Sequence, residues 1–510
     1  VGDRSTKILL LIMLVAAFRS PFPFFGDSVS KTPDSTPDST PQSFHTTSAV
    51  LPSDDDRRAT LRLAPGTSVL VGSLDQSAHR HQLRLSWRPD HAQDAIDLQA
   101  APLLTGSHQV LTFPNSWDAP LAAQLPEGDH ESHAVMLPEV LTDRVALPLA
   151  TLPNPRRRRF VVPCFYAHRV HDRHVLATEI ARGRRVSVFL VDGDETAFRP
   201  QDAAAAGRAA FAVASQVIQQ TEGRVLDFVE SRIGPITDLD EDGRLSFVLA
   251  RLSTDDLTET NQQPITGCVR PDDFLSGLRS ENCADTGGDI VYLDCLLPQG
   301  RELDAVLAHE LAHAATFCAI GQAEPEHQQQ LPGWLNEAIA HCLELQIHPA
   351  SDNLKTRLAG FTREPHRFPL VIPDSLQQRS LRRGPARAAA CLFLNSTLQQ
   401  MPADTLRTLV CCPQPGTGRL EAVTGSRFSE IFRTWGLSLM VSARDFPSHK
   451  LMPGEDLNLQ LAGTAFMWTA PVQHSGTLEI IAAEESRLQV TIVTTDAQRT
   501  AAAATAAERQ

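Results

Sequence analysis

The residues best suited to chemistry lie in VLAHELAHAATF, residues 306–317. His309 and His313 are four apart, and Glu310 directly follows the first histidine. On an α-helix, positions i and i+4 share one face, a turn apart. Both imidazoles therefore project side by side and can hold one cation. Glu310 sits one residue round and can reach a water on that cation. Two ligands and a general base are the chemistry of the H-E-x-x-H pattern. The competing reading is an alanine-rich core helix with two hydrogen-bonded histidines.

A catalytic zinc takes three protein ligands and keeps one position open for water. One class of such sites continues with glycine at 316 and histidine at 319, but here those are Thr316 and Ala319. His327 is a candidate third ligand, within the polar stretch AEPEHQQQLPG. Glu337 in WLNEAIAH is the better one, because a helix holds a ligand more firmly than a loop.

HELAH followed by WLNEAIAH resembles the gluzincin zinc metallopeptidases. The order DLDEDGRLSFVLARL, DIVYLD, then HELAH is similar to the hyicolysin family of bacterial secreted peptidases, and the likeness spans about 180–445. Downstream, ARAAACLFLNSTL and VTGSRFSEIFRTWGLSLM are similar to the helical half of gluzincins. The resemblance implies His309, His313 and Glu337 as zinc ligands, Glu310 as base, and a protein or peptide substrate. It also implies a tyrosine or histidine that stabilises the oxyanion. The two tyrosines, Tyr166 and Tyr292, both precede HELAH. Arg387, His366 and His341 are the other candidate donors. His341 lies one turn beyond Glu337 and can instead orient a ligand. The strand at 287–294 is expected to bind extended substrate along its edge.

A second cluster is DLDEDGRL. Asp238, Asp240 and Asp242 before Gly243 match the start of a calcium loop. Position twelve is Leu249 and the next segment is strand-like, so an EF-hand is not expected. A calcium-binding turn and a solvated acidic turn are the two readings.

Composition bounds the rest. The formal net charge of −14 argues against a dedicated nucleic-acid binder, which needs a basic face. The run NPRRRRF at 154–160 reads as a solvated junction. Nine cysteines occur without a CxxC. Cys268–Cys283 is the most plausible local disulfide, and buried free thiols are the alternative. Arg4 and Lys7 precede an apolar stretch from Ile8 to Phe18, too short to span a membrane and suited to an export signal. No stable transmembrane span is expected. The expected localisation is secreted or in the cell envelope.

The expected fold is multidomain α+β. Residues 1–26 form a signal or anchor, and 27–58 a disordered Pro/Ser/Thr/Asp linker. Short alternating runs over 59–195 predict a β-rich domain. Residues 196–445 predict a zincin-like domain with a sheet, the HExxH helix and a helical subdomain. A small β domain follows over 446–496, then a tail over 497–510. The expected function is exported zinc metalloendopeptidase. The alternative is a zinc-binding, catalytically weak scaffold at the cell surface.

Overall fold

The structure is a computed structural model. It describes residues 42–50, 58–77, 79–90, 107–113, 152, 154–166, 169–198, 203–252, 265–275, 288–322, 330–374, 384–399, 401–402, 404–442, 447–482 and 486–495. The expected signal at 1–26, the tail at 497–510, His327 and Cys283 lie outside them.

The chain opens with β1 (Gln42–Val50), β2 (Arg58–Leu63), β3 (Ser68–Ser73), β4 (Arg80–Pro89) and β5 (Ser107–Phe113). In β2 and β4 exposed and buried residues alternate, as a half-buried strand requires. The next strands are β6 (Arg157–Tyr166), β7 (Arg169–Arg182) and β8 (Val186–Val191). Helix α1 (Ala203–Gln220) continues through a π-turn, Thr221–Val225, into α2 (Leu226–Arg232). Strand β9 (Leu245–Ala250), the short β10 (Gly267–Cys268), one-turn α3 (Pro271–Phe274) and β11 (Ile290–Asp294) lead to α4 (Arg301–Gly321), which carries HELAH. Then come α5 (Gly333–Ile347), α6 (Asp352–Arg363), α7 (Gly384–Leu398), α8 (Thr405–Cys411), α9 (Gly418–Thr424) and α10 (Phe428–Ser442). Strands β12 (Asp456–Ala462), β13 (Phe466–Trp468), β14 (Gly476–Ala482) and β15 (Leu488–Thr495) close the described chain.

The mixed α+β class is as expected, but strand pairing crosses the expected domain boundaries. The β-rich stretch 59–195 divides. Its first strands join the C-terminal ones in two antiparallel sheets, β13-β3-β15-β1-β5 and β12-β4-β14-β2. Leu61, Val71, Leu85, Leu461, Ile480 and Val490 fill the layer between them. The C-terminal strands therefore complete a sandwich begun near the N-terminus instead of forming a small separate domain. The expected linker contributes β1, whose Thr46 lies opposite Val493 of β15.

Strands β6, β7 and β8 belong instead to the sheet under α4, ordered β10-β11-β9-β8-β7-β6. Its β8, β9 and β11 run parallel. Alternation sends Phe247, Leu249, Val291 and Leu293 into the core that includes α4. It sends Val248, Ala250, Ile290 and Tyr292 to the opposite face. Helix α4 packs on α5, and its alanines, including Ala305, Ala308, Ala312 and Ala315, are buried. Alanines let helix axes approach closely. Among the described residues only Arg301–Gly321 is long and apolar enough to cross a membrane, and most of it is buried in the core. The sandwich meets the helices at an aromatic cluster, with Trp435 of α10 edge-on to Phe466 at 5.0 Å.

Three of the four arginines in the run pair with carboxylates inside this architecture. Arg157 pairs with Asp192, Arg158 with Asp240, and Arg156 with both Glu179 and Asp242. It is a set of strand-to-loop clamps. The Glu179 carboxylate is buried and accepts from Arg182 Nε at 2.7 Å and Arg156 Nε at 3.2 Å. Burial alone would raise its pKa, but the bonds from Arg182 and Arg156 overcome this and hold it at about 2. A carboxylate depressed in the fold stabilises above its unfolded pKa and loses that contribution as pH falls through the folded one. Removing a partner of a fully buried pair costs about 3–5 kcal/mol. Here the arginines stay about a third exposed, 35% for Arg156 and 29% for Arg182, so roughly 2 kcal/mol is expected. Glu179→Gln should lower the unfolding free energy by that amount at pH 7, with the deficit vanishing between pH 4.5 and 2. Chemical denaturation across that range checks this, and a pH-independent deficit would contradict it.

Candidate metal centre

Helices α4 and α5 bring His309, Glu310, His313 and Glu337 together in one buried seam. One donor atom each from His309, His313 and Glu337 lies within 4.8 Å of the others. His309 Nε2 stands 3.3 Å from His313 Nε2 and 3.7 Å from Glu337 Oε2. Ligands on a tetrahedral ion with bonds of ~2.0 Å are about 3.3 Å apart, so the spacing suits a small cation.

Burial pushes the pKa of His313 down, so its ring is neutral and one nitrogen carries the proton. Its Nδ1 lies 3.1 Å from Asn336 Oδ1, an atom that can only accept. The proton is therefore on Nδ1, and Nε2 presents a lone pair to the seam. Burial, and then the neighbouring His341, lowers His309 to about 3, so it too is neutral. Glu337 is held ionised at about 2. Burial opposes this, and the Arg387 guanidinium followed by His313, His309 and His341 overcomes it. Its Oε2, like Glu310 Oε2, is a buried atom without a hydrogen bond among the described residues. A carboxylate and an imidazole lone pair thus converge, with the Arg387 guanidinium on the carboxylate, at a spacing that could hold a metal ion.

The other nominated residues take different places. His341 is fully buried behind Glu337, its Nε2 3.9 Å from Glu337 Oε2 and its Nδ1 2.8 Å from Glu344 Oε2. Arg387 of α7 lies on the ligand side of the seam. Its Nη2 donates to Glu337 Oε1 at 3.1 Å, and its Nη1 stands 3.1 Å from Oε2. His366 packs edge-on against His449 at 5.4 Å. Tyr292 is turned to the sheet face opposite α4, and its hydroxyl donates to Asp273 Oδ2 at 3.0 Å. Tyr166 ends β6, at the far edge of the sheet.

The acidic turn forms a separate group. Asp238 and Asp240 gather with Asp289, whereas Asp242, nominated from the sequence, turns away to Arg156. Burial, with Asp240 and Asp238 adding to it, raises Asp289 to about 8. Asp238 Oδ2 accepts from Gly243 N at 2.8 Å, and Asp240 pairs with Arg158. The segment after the turn is β9, so no EF-hand forms.

Sequence reasoning missed three residues here. Asn336 fixes His313. Glu344 lies at 2% exposure beneath His309 and His341. It shares the i, i+4, i+7 stripe of Glu337 and His341, a signal present in the sequence. Gly267, on β10, has no such signal. A Cβ there would stand 2.7 Å from Glu310 Cγ and 2.9 Å from Oε1. The strand expected to bind substrate, β11, is paired on both sides, and β10 forms the edge beside Glu310.

No protein-family model matches the chain, and no curated protein matches it.

The β10 approach to Glu310 is testable. Gly267→Ala should cost about 1–3 kcal/mol through overpacking. Adding Glu310→Ala clears the contacted atoms and should restore most of the loss. Thermal unfolding of both single variants and the double variant reads the coupling. Additive effects would show that the strand does not approach so closely.

Proposed function

We propose that the chain is a zinc-dependent metallopeptidase of gluzincin type, with His309, His313 and Glu337 holding the metal and Glu310 as general base. The observation that carries this is the convergence of His309, His313 and Glu337, with one donor atom from each within 4.8 Å of the others, His309 Nε2 lying 3.3 Å from His313 Nε2 and 3.7 Å from Glu337 Oε2, and with the buried Glu310 within electrostatic reach of Glu337 and its Oε2 without a hydrogen bond among the described residues. Two imidazoles and one carboxylate form the ligand set of catalytic zinc, and oxygen-only cages suit calcium or magnesium instead. When bound, zinc supplies a lowered pKa for the attacking water and polarises the scissile carbonyl.

The chain's own groups do the rest. Glu310 is pushed well above the usual carboxylate pKa by burial and then by Glu337's charge. A carboxylate with raised basicity takes a proton from water readily at its free Oε2 and can hand it to the leaving amine. Asn336 keeps His313 in one tautomer. Arg387 keeps Glu337 ionised, and its charge also offers a donor near the developing oxyanion. Extended substrate would add to the outer edge of β10, which passes directly beside Glu310. The apolar stretch Ile8–Phe18 behind Arg4 and Lys7 motivates reading the enzyme as exported.

One observation favours a zinc-binding scaffold as the second reading. The Tyr292 hydroxyl is committed to Asp273 on the wrong sheet face. Losing one oxyanion donor costs on the order of 2.7–4 kcal/mol in the barrier.

Glu310→Gln separates the two. The peptidase reading expects zinc-dependent cleavage of an unfolded protein such as casein to fall about 10²–10⁴-fold while bound zinc is retained. Cleavage that survives the substitution sinks the assignment of Glu310. Wild type that holds one zinc and cleaves nothing establishes the scaffold. Glu337→Ala should weaken zinc binding, and undiminished affinity would remove it from the ligand set.

A further inference from the structure

Glu344 lies deeper in the protein than the candidate metal set and touches none of the space between His309, His313 and Glu337. Its carboxylate meets polar groups at both oxygens. Oε1 accepts from Ser351 Oγ at 2.9 Å and Asn353 Nδ2 at 3.2 Å. Oε2 pairs with His341 Nδ1 at 2.8 Å and stands 3.4 Å from His309 Nδ1, an atom that forms no hydrogen bond among the described residues and has this carboxylate as its nearby acceptor. An ionised carboxylate offers about four lone-pair sites, and four groups from α4, α5 and the start of α6 surround this one.

His309, His341 and Glu344 also meet the spacing of a metal-ligating group. The 2.8 Å contact argues against a cation there. It is a hydrogen-bond length, and ligands on a tetrahedral ion stand about 3.3 Å apart. The inner group is a hydrogen-bonded one, and the outer group has the cation spacing.

His309 belongs to both groups, one through each ring nitrogen. An imidazole with one ring proton has two tautomers. With the proton on Nε2, His309 would donate toward His313 or Glu337 and fill the seam itself. With the proton on Nδ1, it faces Glu344, and Nε2 offers a lone pair to the metal position. We propose that Glu344 is the positioning residue that selects the second tautomer, turning His309 Nε2 into a ligand and keeping the cation in the outer set. His341 shares the same oxygen and holds the carboxylate centred between the rings. Ser351 and Asn353 fix it from the α5–α6 turn, so that short connection is part of the metal site although it contains no ligand.

This inference rests on the zinc reading for its effect on affinity, and on the protein alone for the tautomer. Partners of this kind typically contribute about 10–100-fold to metal affinity. The test has two parts. Zinc affinity of wild type and Glu344→Gln is measured by chelator competition, with circular dichroism confirming the fold. The expected result is a dissociation constant about 10–100-fold weaker in the variant. A change under about twofold overturns the proposal, because a merely structural Glu344 lowers the melting temperature without altering affinity of the folded chain. Independently, long-range ¹H–¹⁵N spectra of histidine-labelled, zinc-free wild type report the protonated nitrogen of His309. Nδ1–H supports the proposal, and Nε2–H overturns it even if the variant does not fold. Wild type that binds no zinc but shows Nδ1–H defeats the metallopeptidase reading and leaves the positioning role standing.

Discussion

Two imidazoles and a carboxylate meet in a largely buried seam between two helices. His309 Nε2 stands 3.3 Å from His313 Nε2 and 3.7 Å from Glu337 Oε2, and a carboxylate buried beside them calls for positive charge. Desolvating a carboxylate without compensation costs several kcal/mol. The surroundings answer this demand. Arg387 is held against Glu337, and Arg357, itself lowered to about 10 by burial and by Arg387, adds a second guanidinium nearby. The proposed divalent cation would complete the balance between the two imidazoles and the carboxylate.

The fold serves this seam by controlling distance. Alanines on α4 bring its backbone close to α5, so short links from ring to carboxylate become possible. The sheet below is turned so that Val291 and Leu293 press on the helices while Tyr292 faces away. Gly267 lets an edge strand lie against Glu310. On the other flank, Phe432 and Trp435 carry the helical half on the sandwich through edge-to-face contacts with Phe466. The catalytic chemistry proposed above uses few residues, but their placement uses both layers of the molecule.

The parts legible in the sequence were local. Helical spacing alone placed His309, Glu310 and His313 on one face, and WLNEAIAH supplied Glu337. Alternation marked many of the strands, but β1 fell in the stretch read as a disordered linker. Alternation could not name their partners, because β1 pairs with β15 from the far end of the chain and the two sandwich sheets draw strands from both termini. A strand pattern encodes which face is buried, not against what. The arginine run looked solvated because its carboxylate partners, such as Glu179 and Asp240, lie in other segments. Asp289 replaced Asp242 in the acidic group for the same reason. Glu344 is the instructive case. Its helical stripe with Glu337 was visible, but its role depends on Ser351, Asn353 and His309 converging in space.

The central claim is a zinc ion held by nitrogen and oxygen atoms in the seam. The most direct measurement is metal analysis of the purified full chain joined to X-ray absorption at the zinc edge. The account predicts one zinc per chain, with imidazole nitrogen and carboxylate oxygen at about 2.0–2.2 Å. Absence of stoichiometric zinc after reconstitution, or sulfur ligands at about 2.3 Å from the chain's cysteines, would contradict it.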